Sequence, residues 1–208
     1  MHTPALQAIL FDLGGVIIDI DPENSLRTFE QMGYHDIRPV YGAMAEEGWF
    51  TRLEIGEAEP KDIYTRLRSS LSKEISEEDI RKGWNALLGK LPAERIQLLE
   101  QLSDRYRLYL LSNTNAIHMD TIHQLVRDQF GVSDMGYWFE QDYYSYEMGL
   151  RKPDPDIYQV ILDDHLLDPA ATLFVDDTPA NIESAAQLGF QTLHVPDNCS
   201  IVALMKGF

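Results

Sequence analysis

The stretch Ala8-Ile9-Leu10-Phe11-Asp12-Leu13-Gly14-Gly15-Val16 decides the fold. Ala8 to Phe11 is a continuous apolar run, the pattern of a strand buried on both faces of a parallel sheet. The run ends in a carboxylate and turns at once through Gly14 and Gly15, which let the backbone approach a ligand closely. In open α/β sheets, ligands bind beyond the carboxyl ends of the strands. Asp12 therefore either caps a turn or does chemistry, and the rest of the chain has to decide between the two.

Downstream of this strand the pattern changes. Asp21-Pro22-Glu23 reads as a helix start, with Asp as N-cap and Pro in the first turn. Leu26, Phe29 and Met32 mark one helical face, and Ile63, Leu67 and Leu71 mark another at i, i+4, i+8. Ser76 is the expected N-cap of a helix carrying Ile80 and Trp84. No strand is expected here, so residues 21–91 read as a helical insertion. Alternation of helix and strand begins after it. Pro92 to Arg105 is a helix, Leu108 to Leu111 a strand, Tyr137 to Tyr146 a strand-bearing stretch, Thr172 to Val175 a strand, and Gln191 to Val195 an edge strand. Asp154 is expected to cap the helix of Ile157 and Ile161. Strands joined through helices make an α/β fold with a parallel sheet. The expected division is a Rossmann-like core of residues 1–20 and 92–208, with the insertion between them.

At 208 residues the chain can bury a full core, and 44% hydrophobic with 25% charged residues fits a globular protein. Seventeen basic against 34 acidic residues give a net charge of −17. Such a surface repels nucleic acid and anionic membranes. An anionic small molecule is still acceptable, because local donors outweigh distant charge beyond a Debye length of about 8–10 Å. The lone cysteine, Cys199, excludes an internal disulfide and reads as a small apolar filler. Neither a signal peptide nor a membrane span is visible, so a cytoplasmic location is expected. Nothing in the sequence implies a protein partner.

Polar residues recur at one structural place. Asp12, Ser112-Asn113 and Asp176-Asp177 each end an apolar strand, and Lys152 lies in a loop before a helix. In a parallel sheet these ends share one edge. Three converging carboxylates would repel unless a cation joined them. Oxygen ligands without supporting His or Cys point to Mg²⁺. A hydroxyl, helix N-terminal amides and a lysine suit a phosphate, and an aspartate can attack phosphorus.

In these four segments, Phe-Asp12-Leu-Gly14-Gly-Val, Leu-Ser112-Asn113-Thr-Asn, Arg-Lys152-Pro-Asp-Pro and Phe-Val-Asp176-Asp177, the chain resembles the haloacid dehalogenase-like hydrolases. The wording is similar to that of bacterial sugar-phosphate phosphatases of the glucose-1-phosphate type and of the phosphatase domain of soluble epoxide hydrolases. The insertion matches that family's small helical cap. The resemblance implies a Mg²⁺-dependent phosphatase of a small phosphorylated metabolite, with a sugar phosphate expected. It implies Asp12 as nucleophile and Lys152 as the cation that neutralises charge on Asp12 and on the substrate's phosphoryl group. Ser112 and Asn113 would hold phosphoryl oxygens, and Asp12, Asp177 and the Gly14 carbonyl would bind metal, with Asp176 sharing or supporting that role.

One position departs from the family pattern. Most family phosphatases carry a second aspartate two residues after the nucleophile as general acid and base, a role worth about 10²–10⁴-fold. Here that position is Gly14. Two other readings follow: a phosphate-binding regulatory protein that has lost turnover, and a metal-independent 2-haloacid dehalogenase. The resemblance makes the second less apt, since dehalogenases carry an aromatic residue where Gly14 stands. In the insertion, Trp49 is expected in the core, while Phe50 and Arg52 are candidates to meet the substrate. His118 and His123 are expected to pack or lie at the surface, and Asn115 and Asn181 to support the site by local hydrogen bonds.

Overall fold

Strand β1, Ala8–Phe11, is the centre of the sheet, as its wholly buried apolar run requires. A computed structural model describes residues 4–197 and 199–208. Among them β1 pairs in parallel with β2, Arg107–Ser112, on one side and with β4, Thr172–Asp176, on the other. Strands β3, Gln141–Tyr144, and β5, Gln191–His194, complete the order β3-β2-β1-β4-β5. The pleat sends alternate residues to opposite faces. Ile9 and Phe11 enter one apolar cluster with Leu110 and Val175, while Ala8 and Leu10 enter another with Tyr109 and Phe174. Helices cover both faces, and this is why the central strands carry no polar alternation.

Among the described residues five helices follow β1 as a bundle before a sixth leads back to the sheet: α1 Pro22–Gln31, α2 Ile37–Glu46, α3 Trp49–Glu54, α4 Pro60–Ser70 and α5 Glu77–Asn85. They share a cluster of their own around Phe29, Ile63, Leu67, Ile80 and Trp84. The Asp21 and Ser76 side chains cap α1 and α5, accepting from Asn24 N and Asp79 N. The two connections between this bundle and the sheet pair with each other. Asp19 N donates to Lys90 O at 2.9 Å, Asp21 N to Leu87 O at 2.9 Å, and Ile20 bridges Leu88 in antiparallel sense.

After the bundle, α6 Ala93–Ser103, α7 Ala116–Phe130, α8 Ser145–Met148, α9 Pro155–His165, α10 Pro179–Gln187 and α11 Ile201–Leu204 follow in order. Among the described residues no helix is long and apolar enough to cross a membrane. Cys199 is exposed, so it fills no core position.

Candidate active site

The register of the sheet assembles the site. Phe11 lies level with Leu110 and Val175. One step further along the same rows, Asp12 therefore falls beside Leu111 and Asp176, with Ser112 just beyond. Asp12 N donates to Val175 O at 2.8 Å, which fixes the carboxylate at the strand end. Lys152, 1% exposed, comes in from the loop before α9. Its Nζ donates to Asp12 Oδ1 at 2.8 Å, Asp176 Oδ2 at 2.7 Å and Leu111 O at 2.9 Å. An ammonium has three protons, and all three are engaged. Burial works against the charge, but the two carboxylates hold the Lys152 pKa above its ordinary value. Burial pushes the Asp12 carboxyl up to about 7; Lys152 pulls it down and Asp176 adds to the rise.

The next strand end supplies groups for a phosphoryl moiety. Ser112 is a buried residue whose hydroxyl makes no hydrogen bond among the described residues and faces the cavity. Asn113 also has a structural role. Its Nδ2 donates to Lys152 O at 2.8 Å and its Oδ1 accepts from Lys152 N at 2.9 Å. The side chain splints the lysine loop, and one Nδ2 proton and the backbone remain for a ligand in the cavity that Asn113 lines. Ser145 secures the following residue, exchanging hydrogen bonds with Thr114 N and O. Asn115 caps α7, accepting from His118 N at 3.2 Å.

The third strand end divides its two carboxylates. Asp176 is fully buried, and its oxygens accept from Lys152, Asn181 Nδ2 and Thr178 N. Asp177 is half-buried and accepts only from Thr178 Oγ1 at 3.1 Å among the described residues. Burial, with the neighbouring Asp176, raises its pKa. One oxygen from each of Asp12, Asp176 and Asp177 lies within 4.8 Å of the others. Three carboxylates against one lysine leave excess negative charge in a buried place, a setting that fits a cation. Because Asp176 is saturated by the protein, the oxygens left for it belong to Asp12 and Asp177. These hard donors suit Mg²⁺.

A cavity of about 570 Å³ opens from this edge toward the helical bundle. Asp12, Gly14, Ser112, Asn113, Lys152 and Asp177 form its floor. At Gly14 an added Cβ would stand 2.1 Å from Ile20 Cδ1, so an apolar methyl fills the room beside the nucleophile. Helix α3 turns Phe50, Leu53 and Glu54 to the cavity. Glu54 pairs with Arg151 at 2.9 Å, joining α3 to the lysine loop. Arg52, expected here, is exposed, lies over the Trp49 ring at 4.7 Å and does not line the cavity. Side chains at 50 and 54 share a face one turn apart, and position 52 falls on the other side. Trp49 packs against the bundle core as expected.

His118, expected to pack or lie at the surface, packs on Trp84 and also lines the cavity. It sits in the first turn of α7, just past a strand-end loop, where side chains lean back over the helix N-terminus. That placement was the available signal. His123 does pack, its Nδ1 accepting from Met135 N at 3.1 Å.

Comparison with known proteins gives the family directly. A model described as haloacid dehalogenase-like hydrolase matches residues 6–189, and the chain belongs to that family of hydrolases. It is 30% identical over 193 residues to a D-ribitol-5-phosphate phosphatase of Bacteroides thetaiotaomicron, covering 93% of each protein. A solved HAD family enzyme from the same organism, in complex with magnesium and inorganic phosphate, superposes with a TM-score of 0.87 at 31% identity, over 97% of this chain and 100% of that one. An L-2-haloacid dehalogenase of Xanthobacter autotrophicus, at 20% identity and a TM-score of 0.60 over 91% of this chain and 77% of that one, shares the fold alone.

Proposed function

We propose that the protein is a Mg²⁺-dependent phosphatase that hydrolyses a small phosphorylated metabolite, of the sugar-phosphate class, through an aspartyl-phosphate on Asp12. The observation that carries this reading is the Asp12 carboxylate, buried at a strand end, ion-paired to Lys152 and grouped with Asp177 on the floor of a metabolite-sized cavity. The relatives' phosphatase activity and their magnesium and phosphate ligands support it.

In this mechanism an Asp12 oxygen forms a bond to phosphorus as the ester oxygen departs and takes a proton from water. A second water then attacks phosphorus, and the Asp12 carboxylate is released. Lys152, held by three acceptors, orients Asp12 and favours its ionised form against the burial. The Ser112 hydroxyl and Asn113 bind phosphoryl oxygens. Asp12, Asp177 and the Gly14 carbonyl would hold Mg²⁺, which would supply charge neutralisation for the transferring group. Asp176 supports the set by fixing Lys152. Residues 21–91 act as a cap over a core of residues 1–20 and 92–208, and Arg52 takes no part. A net charge of −17 supports an enzyme that meets small substrates rather than nucleic acid or anionic membranes.

A second reading, a phosphate-binding protein without turnover, is favoured by the Ile20 methyl where most relatives of this fold would place an acid. Phosphate release from a panel of esters separates the two. Release with Mg²⁺, abolished by chelation and by Asp12→Asn, is the expected result. Binding without release selects the second reading, and undiminished release in a chelator or in the Asn variant sinks both.

A further inference from the structure

The cavity wall away from Asp12 is nearly free of unsatisfied polar atoms. Ser25 Oγ donates to Gly83 O at 2.7 Å and lies 3.4 Å from the Tyr41 hydroxyl. The charged groups there are already matched: Glu23 with Arg38 and Glu54 with Arg151. A second anionic group on a ligand would therefore find no uncommitted cation on this wall among the described residues. Most of the remaining surface is apolar, from Ile20, Leu26, Phe50 and Leu88.

His118 is the exception. Its Nδ1 lies 2.8 Å from Asn85 Oδ1 on α5. A carboxamide oxygen has no proton to give, so Nδ1 carries the hydrogen and Nε2 keeps its lone pair. Burial lowers the ring pKa to about 4, so the imidazole is neutral near pH 7. The ring stacks on Trp84, centroids 6.0 Å apart, which fixes its plane. Nε2 has no partner among the described residues, and unlike Trp84 Nε1 it is not sealed within the packing. A pre-oriented acceptor thus stands alone in an otherwise apolar wall.

We propose that His118 Nε2 accepts a hydrogen bond from a hydroxyl of the leaving group, so that the site selects phosphate esters of neutral, hydroxylated alcohols. This rests on the phosphatase reading above. His118 is here a specificity residue, contributing to the fit of the alcohol and not to bond cleavage.

The test compares a pentitol 5-phosphate with n-pentyl phosphate, which share chain length and phosphate but differ in hydroxyls. In the wild type the kcat/KM ratio favours the pentitol ester. His118→Phe keeps a ring on Trp84 but loses the acceptor, and should lower that ratio about tenfold, the value of one neutral hydrogen bond. His118→Gln, which restores an acceptor, should recover part of it. Asn85→Leu, which frees Nδ1 and the tautomer, gives an independent arm and should lower the ratio as well. A ratio unchanged in both His118→Phe and Asn85→Leu, or a wild type that prefers the pentyl ester, overturns the proposal. Equal loss on both esters assigns His118 to packing and overturns it too. Absence of release from every ester would instead sink the phosphatase reading. The same ratio is then read as binding affinity by tryptophan fluorescence in Asp12→Asn with and without His118→Phe, so the two failures stay distinct.

Discussion

Gly15 and Asp177 approach so closely that a Cβ on Gly15 would stand 2.1 Å from Asp177 Oδ2. Gly15 also has φ +74, a left-handed conformation that costs other residues about 1–2 kcal/mol. Gly15→Ala should therefore act twice. It should destabilise the fold by about that amount in urea titrations. It should also push the Asp177 carboxylate aside, a small movement energetically but one that spoils a cation site. The expected signature is a Mg²⁺ requirement raised at least about tenfold, read from activity against metal concentration. An unchanged metal requirement would remove Asp177 from the ligand set.

Lys152 sits between two buried carboxylates, and Lys152→Met leaves both uncompensated. Breaking a buried pair in this way costs about 3–5 kcal/mol. The sign of the pH dependence follows from the carboxyls. Asp12 already has a pKa raised to about 7, and loss of the ammonium raises it further. A native carboxyl that binds protons more tightly than the unfolded one gains stability as pH falls. The deficit of the Met variant against wild type should thus shrink between about pH 8 and pH 5. A deficit that grows over that window would refute the ion-pair account.

Gly14→Asp restores the usual acid position, but the new Cβ meets Ile20 Cδ1. Gly14→Asp with Ile20→Ala should accelerate esters with poor leaving groups more than Gly14→Asp alone. Single-turnover rates across esters of graded leaving-group pKa read this as a flattened slope. If the wild-type slope is already flat, another group supplies the proton.

His118 also carries a stability prediction. Its folded pKa of about 4 lies below the ordinary 6.5 because of burial. Its contribution is complete above about pH 6.5 and is lost as pH falls toward 4, by at most about 3 kcal/mol. Between pH 7.5 and about pH 5, wild type should lose more unfolding free energy than His118→Phe. Parallel losses would show that the ring titrates freely in the folded protein.

The sheet edge was legible because a buried parallel strand announces itself by composition, and strand ends fall into register without knowledge of the loops. Asp12, Ser112 and Asp176-Asp177 could be read together for that reason, while Lys152, in a loop, joined them through the resemblance. The phase of a six-residue helix is different. Positions 50, 52 and 54 on α3 carry no long apolar repeat to fix the face, and Arg52 was placed on the wrong side. Asn113 has the residue type of a phosphate ligand, but its two bonds to the Lys152 backbone come from a loop 39 residues away. His118 belongs to the same class, since its partner Asn85 lies in the insertion, 33 residues earlier. Ile20, in the linker to the bundle, belongs to no motif, and its contact with Gly14 exists only in the folded chain.

That linker has a wider consequence. Ile20 lies in the paired connections between bundle and sheet, with Leu88 across from it, and its methyl covers Gly14. The wall beside the nucleophile is therefore borrowed from the joint. Displacing the joint by about 3 Å, the width of a water molecule, enlarges the wet side of the cavity next to Asp12 while the strands themselves stay put. Hydration of the reacting carboxylate thus reports the posture of a bundle whose own core lies apart from it. Substitutions that loosen the joint should wet the site without touching any residue that binds phosphate.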